Sequence, residues 1–158
     1  MDRVLEMGGE FELALLGEGN RVSSKVFNAA RTRYGPIIVQ FDYVESREDY
    51  CDWLRKGDVV ISTAIQENFG IAVIEAIRYG CFPLLPDRLS YPELIPRRFH
   101  SKCLYRTERE LADMLCSLLR NRADYRAVRT EMVRWAAGFS WALVHDSFDE
   151  ELERLTGI

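Results

Sequence analysis

Three observations in the 158-residue sequence predict an α/β fold in which helices cover both faces of a doubly wound parallel sheet. Short apolar runs, typical of strands, alternate with longer amphipathic segments, typical of helices. The strand candidates are continuously apolar, as expected for strands that are buried on both faces of a parallel sheet. The hydrophobic fraction of 47% is enough for one core, and no internal repeat or linker divides the chain. We therefore predict a single Rossmann-like domain over residues 1–158.

The predicted strands are short apolar runs that end at a turn or at the start of a helix. They cover residues 11–16 (FELALL), 36–41 (PIIVQF), 58–63 (DVVIST) and 81–85 (CFPLL), with residues 104–105 as a short last strand. The predicted helices alternate with these strands. They cover residues 23–34, 46–57, 69–79, 107–121, about 123–137 and about 140–156. Ser46 and Thr107 are the expected N-caps, and Glu110 completes a capping box with Thr107.

Composition excludes several classes of protein. The net charge of −4 together with the high apolar content excludes a disordered chain. No apolar run approaches the roughly 18 residues that a membrane helix needs, and the charged N-terminus lacks the apolar core of a signal peptide. Four separated cysteines without a CxxC pair, and only two histidines, do not form a zinc-ligand pattern. We expect a reduced, cytoplasmic protein that does not associate with membranes.

Charge is unevenly distributed along the chain. Residues 97–134 carry 10 basic and 5 acidic side chains, whereas the whole chain is acidic. Such a segment either faces a polyanion or consists of helices whose arginines are simply solvated. It lacks the basic stripe that is typical of a dedicated nucleic-acid-binding domain.

Ligands of doubly wound sheets bind beyond the carboxyl ends of the strands, which here directs attention to the loops 17–22, 41–46 and 62–70. The first loop, GEGNRV, differs from the dinucleotide-binding fingerprint at Val22, where a third glycine is expected. No acidic residue ends the second strand to hold an NAD ribose. We therefore expect no dinucleotide site.

The strongest functional pattern lies in the third of these loops and in the helix that follows it. Glu67 comes directly after a predicted strand, and Gly70 begins a helix. The unpaired N–H groups and the positive dipole end of that helix would favour a diphosphate. Glu75 lies within the otherwise apolar helix, where a buried carboxylate needs a partner. Glu75 therefore either pairs with an arginine or binds a ligand.

Glu67 and Glu75 have seven residues between them, and Ala76 and the segment 80–84 (GCFPL) follow. This pattern resembles the E-x7-E signature of the family 4 retaining glycosyltransferases. The resemblance implies the GT-B architecture, in which two Rossmann-like domains pair and the C-terminal one binds the nucleotide-sugar donor. The chain resembles this C-terminal half over nearly its whole length. The N-terminal, acceptor-binding domain would then lie outside it.

Four further segments resemble the tRNA-queuosine α-mannosyltransferase group, which transfers mannose from GDP-mannose to queuosine in tRNA. They are residues 43–47 (YVESR), 58–64 (DVVISTA), 89–96 (LSYPELIP) and 139–141 (FSW). Residues 66–69 (QENF) depart from that group, which often has histidine and phenylalanine around the first glutamate. The alternatives are a family 4 enzyme with another sugar and acceptor, or a stand-alone nucleotide-binding module without catalysis. A flavodoxin-like receiver would need acidic residues at the end of the first strand, where residues 15–17 have none.

The resemblance also implies a role for each candidate site residue. Glu67, the catalytic candidate, would hold hydroxyls of the transferred sugar, and Glu75 would accept hydrogen bonds from the ribose. The other donor-binding candidates are Phe69 and Gly70, whose backbone amides would meet the diphosphate, Gly17, which would let the first loop approach the donor, Tyr43 and Val44, which would border the nucleobase, and Ser90, Tyr91 and Glu93, which would line the sugar. No metal or other cofactor is expected, because helix N–H groups can stabilise the departing diphosphate.

The same resemblance limits what this chain should do alone. The family usually carries an arginine and a lysine on a loop upstream of the first strand of this domain, where they clamp the diphosphate. Here only ten residues precede Phe11, and they indicate the end of a helix. We therefore expect the isolated chain to bind a nucleotide weakly and to be largely inactive without the N-terminal domain.

Overall fold

The strands are all close to the positions that the apolar runs predict. The structure, a computed structural model, describes residues 1–16, 25–140 and 153–155. Its strands are β1 (Leu13–Leu16), β2 (Ile38–Asp42), β3 (Val59–Ile61), β4 (Phe82–Pro86) and β5 (Leu104–Tyr105). Strand β2 begins two residues later than expected because Gly35–Ile37 form a 3₁₀ turn, and Pro36 has no N–H group for a sheet ladder. It also extends one residue further, to Asp42, so the expectation that no acidic residue ends this strand was wrong.

Helices occupy the segments between the strands and the end of the described chain. They are α1 (Asp2–Glu6), α2 (Lys25–Tyr34), α3 (Arg47–Lys56), α4 (Ile71–Arg78), α5 (Tyr91–Leu94), α6 (His100–Cys103), α7 (Glu108–Arg120) and α8 (Arg122–Ala137). Helix α5 lies in a segment that its prolines suggest is a loop. Pro92 is compatible with it because a proline in the first helical turn lacks only an N–H group that has no partner there. Gly17 and Trp141, and nearly all of the predicted last helix, lie outside the described residues.

The parallel arrangement of the strands is confirmed. Strand β1 pairs with β2, β3 with β4, and β4 with β5, every pair parallel. Among the described residues these pairs form two hydrogen-bonded groups, β1–β2 and β3–β4–β5, rather than the one continuous sheet that we expected. Residues of β1 and β3 both line a cavity of about 1250 Å³.

The core lies on the faces of β4, where helices α4, α7 and α8 pack. All five residues of β4 are buried, which explains why its sequence is continuously apolar. Ile77 of α4 and Met132 of α8 are fully buried in the same cluster as Leu84. Burial of each such side chain contributes about 1.5–3 kcal/mol to folding. The core therefore fixes α4, whose N-terminus carries the strongest functional pattern of the sequence.

The two predicted N-caps are present. The Ser46 hydroxyl accepts a hydrogen bond from the Asp49 N–H group at 3.0 Å, and the Thr107 hydroxyl accepts one from Glu110 at 3.1 Å. The expected capping box at Thr107 differs in its second bond. The Glu110 carboxylate accepts from the N–H group of Arg106 at 2.7 Å, one residue earlier than the motif predicts.

Candidate functional site

The loop that follows β3 is anchored by two buried tyrosines. The Tyr91 and Ser62 hydroxyls share a hydrogen bond of 2.7 Å, and the Tyr105 hydroxyl donates to the Ser62 carbonyl oxygen at 2.6 Å. The Ser62 hydroxyl in turn accepts from the N–H group of Ala64 at 3.2 Å. Burial raises the pKa of the Tyr91 hydroxyl, so this group stays neutral. The start of the loop is therefore held between β5 and α5.

Gly70 allows the chain to turn from this loop into α4. Its backbone is left-handed, with φ of +66°, and a Cβ atom here would lie 2.4 Å from Cδ1 of Leu94. The positive φ favours glycine because L side chains rarely adopt this conformation, and a Cβ atom would also require the Leu94 side chain to move. The first hydrogen bond of α4 runs from the Ile74 N–H group to the Gly70 oxygen. The N–H groups of residues 71–73 therefore have no acceptor within the helix.

The Glu67 carboxylate caps the turn before α4. Its Oε1 atom accepts hydrogen bonds from the N–H groups of Asn68, Phe69 and Gly70 at 3.0, 3.2 and 2.9 Å. These bonds hold the pKa of Glu67 below its usual range, and the bond from Gly70 has the largest effect. The amides of Phe69 and Gly70, which we expected to meet a diphosphate, are thus already bonded to a carboxylate in this structure.

Glu75 pairs with two side chains from the start of α3. Its Oε1 atom accepts from Nη2 of Arg47 at 2.9 Å, and its Oε2 atom accepts from the Tyr50 hydroxyl at 3.3 Å. Burial, with the nearby Glu75 charge, raises the pKa of Tyr50 to about 12. The arginine partner, which is required if Glu75 forms an ion pair instead of binding a ligand, is therefore present. The Glu75 side chain is still 26% exposed, so a ligand can reach it.

The remaining predicted site residues differ in exposure. Tyr43 is 59% exposed and Val44 is half-buried, both between β2 and α3. Glu93 is exposed on α5, and the Ser90 hydroxyl oxygen is buried without a hydrogen-bond partner in the described structure. Tyr91 is only 1% exposed. Its hydroxyl bonds to Ser62 in the loop after β3, and its expected place on the sugar side stays a prediction.

The structure adds four residues to the site that sequence reasoning missed. They are Arg47, Tyr50, Ser62 and Arg88. Arg47 and Tyr50 are three positions apart and so share one face of α3, but this spacing does not show that Glu75 is their partner. The Arg88 guanidinium donates to the Ala64 carbonyl oxygen at 3.1 Å from the loop after β4. No pattern in the sequence indicates that contact, because 24 positions separate the two residues.

The described part of the chain shows no cluster of three or more histidine, cysteine, aspartate or glutamate side chains that could hold a metal ion. No helix within the described ranges is both long enough and apolar enough to cross a membrane.

Comparison with known proteins identifies the class to which this fold and site belong. The family model for glycosyl transferases group 1 matches residues 1–121, and the chain belongs to that family. It is 34% identical over 122 residues to the tRNA-queuosine alpha-mannosyltransferase of Drosophila melanogaster, a match that covers 77% of this chain and 31% of the relative. It is 26% identical over 121 residues to the GDP-mannose:cellobiosyl-diphosphopolyprenol alpha-mannosyltransferase of Xanthomonas campestris, covering 75% of this chain and 32% of the relative. The chain thus spans about a third of the length of these relatives.

Solved glycosyltransferase structures share the fold. The pneumococcal O-GlcNAc transferase in complex with UDP and GlcNAc superposes with a TM-score of 0.74 at 16% identity, over 98% of this chain and 31% of that protein. The catalytic domain of the cholesterol-alpha-glucosyltransferase of Helicobacter pylori superposes with a TM-score of 0.60 at 14% identity, over 82% and 99% of the two chains. The expected α/β fold of a GT-B glycosyltransferase is confirmed.

Proposed function

We propose that this chain is the donor-binding domain of a retaining glycosyltransferase that uses GDP-mannose. The observation that carries the proposal is the placement of two carboxylates around the N-terminal half of one buried helix. Glu67 lies just before α4, and Glu75 lies on its fifth residue. Between them the N–H groups of residues 71–73 have no acceptor within the helix. The proposal is supported by the names of two relatives, both of which are mannosyltransferases.

In the proposed reaction the protein stabilises the departing diphosphate through α4. Negative charge that develops on the leaving group is favoured by the helix dipole and by the N–H groups at its first turn. Arg88 donates to the Ala64 carbonyl oxygen in the loop before α4 and adds positive charge there. When the donor binds, Glu67 would turn from the amides of Phe69 and Gly70 to hydroxyls of the sugar. Those amides would then meet the diphosphate, and the reaction would need neither a metal nor a protein nucleophile.

The nucleoside would extend from α4 towards α3. Glu75 would accept hydrogen bonds from the ribose hydroxyls, and the segment of Tyr43 and Val44 would border the base. Ser90, Tyr91 and Glu93 would lie on the sugar side. Gly17 keeps its proposed role near the donor, although it lies outside the described residues.

The acceptor in this proposal is queuosine in tRNA, and a further, N-terminal domain of the same enzyme would hold most of it. The proposal is supported by the 34% identity to a tRNA-queuosine alpha-mannosyltransferase. A cytoplasmic location fits the four cysteines, all of them free and buried. The basic segment 97–134 offers charge for tRNA, but Arg98 already pairs with Glu131 at 3.0 Å. The contribution of this segment to tRNA binding would therefore come from its other basic residues.

The ribose assignment is tested by replacing Glu75 with alanine and measuring GDP binding by calorimetric titration. We expect a loss of about 1–3 kcal/mol of binding free energy, because hydrogen bonds to a charged acceptor are removed. The matched control is Glu108→Ala, an exposed glutamate on α7 that should leave GDP affinity unchanged. Equal GDP affinity in the Glu75→Ala variant and in the wild type would show that Glu75 belongs only to an ion pair.

The reaction is tested with the full-length protein, GDP-mannose and tRNA that contains queuosine. We expect mannose on the tRNA with retained anomeric configuration, no product on tRNA that lacks queuosine, and almost none from the 158-residue chain alone. The same assay with UDP-glucose and with ADP-glucose should give no product. Transfer from another donor would overturn the choice of nucleotide sugar, and transfer by the isolated chain would overturn the role of a second domain.

A further inference from the structure

Two side chains at the start of α3 donate hydrogen bonds to the Glu75 carboxylate from the same face of the helix. Arg47 lies in the first helical position of α3, and Tyr50 follows three positions later on the same face. One donates to Oε1 and the other to Oε2, at 2.9 and 3.3 Å. A carboxylate has about four lone-pair sites, so these bonds leave roughly one site on each oxygen for another donor.

Helix α3 is itself held in place from both ends. The Ser46 hydroxyl caps it, and the N–H group of Tyr50 donates to the Ser46 carbonyl oxygen at 3.1 Å. Leu54 is buried in one cluster with Ala76 of α4 and Cys81. Tyr50 is partly buried against the same cluster, so the packing of α3 on α4 fixes the position of its hydroxyl group.

The two donors have different physical roles. The Arg47 side chain is 77% exposed, and an ion pair so exposed contributes little to folding stability. Its effect is to restrict the rotation of the carboxylate group. Tyr50 is partly buried, and its hydroxyl is protonated and can donate at neutral pH, as for any tyrosine. Together they restrict the orientation of the carboxylate and leave its remaining lone pairs for another donor.

We propose that Arg47 and Tyr50 are positioning residues that orient Glu75 to accept both hydroxyls of a ribose diol, and that they thereby set the preference for ribonucleotides over 2′-deoxyribonucleotides. The inference rests on the proposed function, because it takes Glu75 as the ribose ligand. A vicinal diol needs both carboxylate oxygens in one plane with it, whereas a single hydroxyl is bound by one oxygen in many orientations. Loss of either donor should therefore affect the diol more than the single hydroxyl.

The test compares the Kd values of GDP and 2′-deoxy-GDP for the full-length protein and its variants. For the wild type we expect GDP to bind about 10-fold more tightly, since a bond to a charged group is lost with the 2′-hydroxyl. Arg47→Gln and Tyr50→Phe should each lower this ratio at least about threefold, with little change in the affinity for 2′-deoxy-GDP. Arg47→Lys should retain part of the ratio. Arg55→Gln is the matched control, because Arg55 lies on the same helix but pairs with Asp52.

The outcomes separate this inference from the proposed function. If Glu75→Gln abolishes the preference for GDP while Arg47→Gln and Tyr50→Phe keep the wild-type ratio, the positioning role is wrong and the ribose assignment stands. If Glu75→Gln changes neither affinity, both the ribose assignment and the positioning role are overturned. If the two variants lower both affinities equally, they act through the fold, and the positioning role is again wrong.

Discussion

Replacing Glu67 by glutamine is expected to lower kcat/KM of the full-length enzyme for GDP-mannose by about 100-fold or more while leaving GDP affinity unchanged or tighter. Hydrogen bonds to a charged group contribute about 1.5–3 kcal/mol each, and the proposed role of Glu67 includes at least two bonds to sugar hydroxyls. GDP lacks the transferred mannose, so its binding does not depend on these bonds. In the Glu67→Gln variant the diphosphate of GDP would compete for the amides of residues 68–70 with a neutral glutamine. Because glutamine is a weaker acceptor than the carboxylate, GDP affinity should stay the same or rise.

Two measurements make this expectation specific. Steady-state transfer rates report the sugar contacts, and calorimetric titration with GDP reports the diphosphate and the nucleoside. The neighbouring Gln66→Ala variant is the control, because Gln66 is exposed and no role is assigned to it. A parallel fall in transfer and in GDP affinity would contradict the proposed role, since it would mean that Glu67 only maintains the loop.

Replacing Gly70 by alanine is expected to destabilise the fold by about 2–4 kcal/mol. A residue with a side chain costs about 1 kcal/mol or more in the left-handed conformation, and overpacking adds about 1–3 kcal/mol. The new Cβ atom would meet Leu94 Cδ1 at 2.4 Å, so the Leu94 side chain, α5 or the first turn of α4 must shift. GDP binding should weaken as well, because the N–H groups of residues 71–73 would shift with that turn.

Gly8 provides the matched control for this substitution. Its φ of +75° is also left-handed, but a Cβ atom there would meet nothing within 4 Å. Urea unfolding of Gly8→Ala should therefore show only the conformational cost of about 1 kcal/mol. The difference between the two variants measures the packing of α4 against α5. Equal losses would show that Leu94 moves aside freely and that α5 does not constrain the site.

Much of the fold follows from local patterns in the chain. Continuous apolar runs indicate buried parallel strands, and β4 is the clearest case, since all five of its residues are buried. Ser46 and Thr107 are recognisable as N-caps because a side-chain oxygen next to a helix start satisfies an N–H group that has no other partner. The positions of Glu67 and Glu75 relative to α4 also follow from sequence, because their spacing along one loop and one helix is local.

The partners of those carboxylates depend on the tertiary structure. Arg47 reaches Glu75 across 28 positions, and Tyr91 reaches Ser62 across 29. Such pairs arise when apolar faces elsewhere pack and bring distant polar groups within hydrogen-bonding distance, and periodicity carries no information about them. Tyr91 illustrates the difference. The resemblance assigns it to the sugar side, and only the structure shows that α5 buries its ring and places its hydroxyl 2.7 Å from that of Ser62.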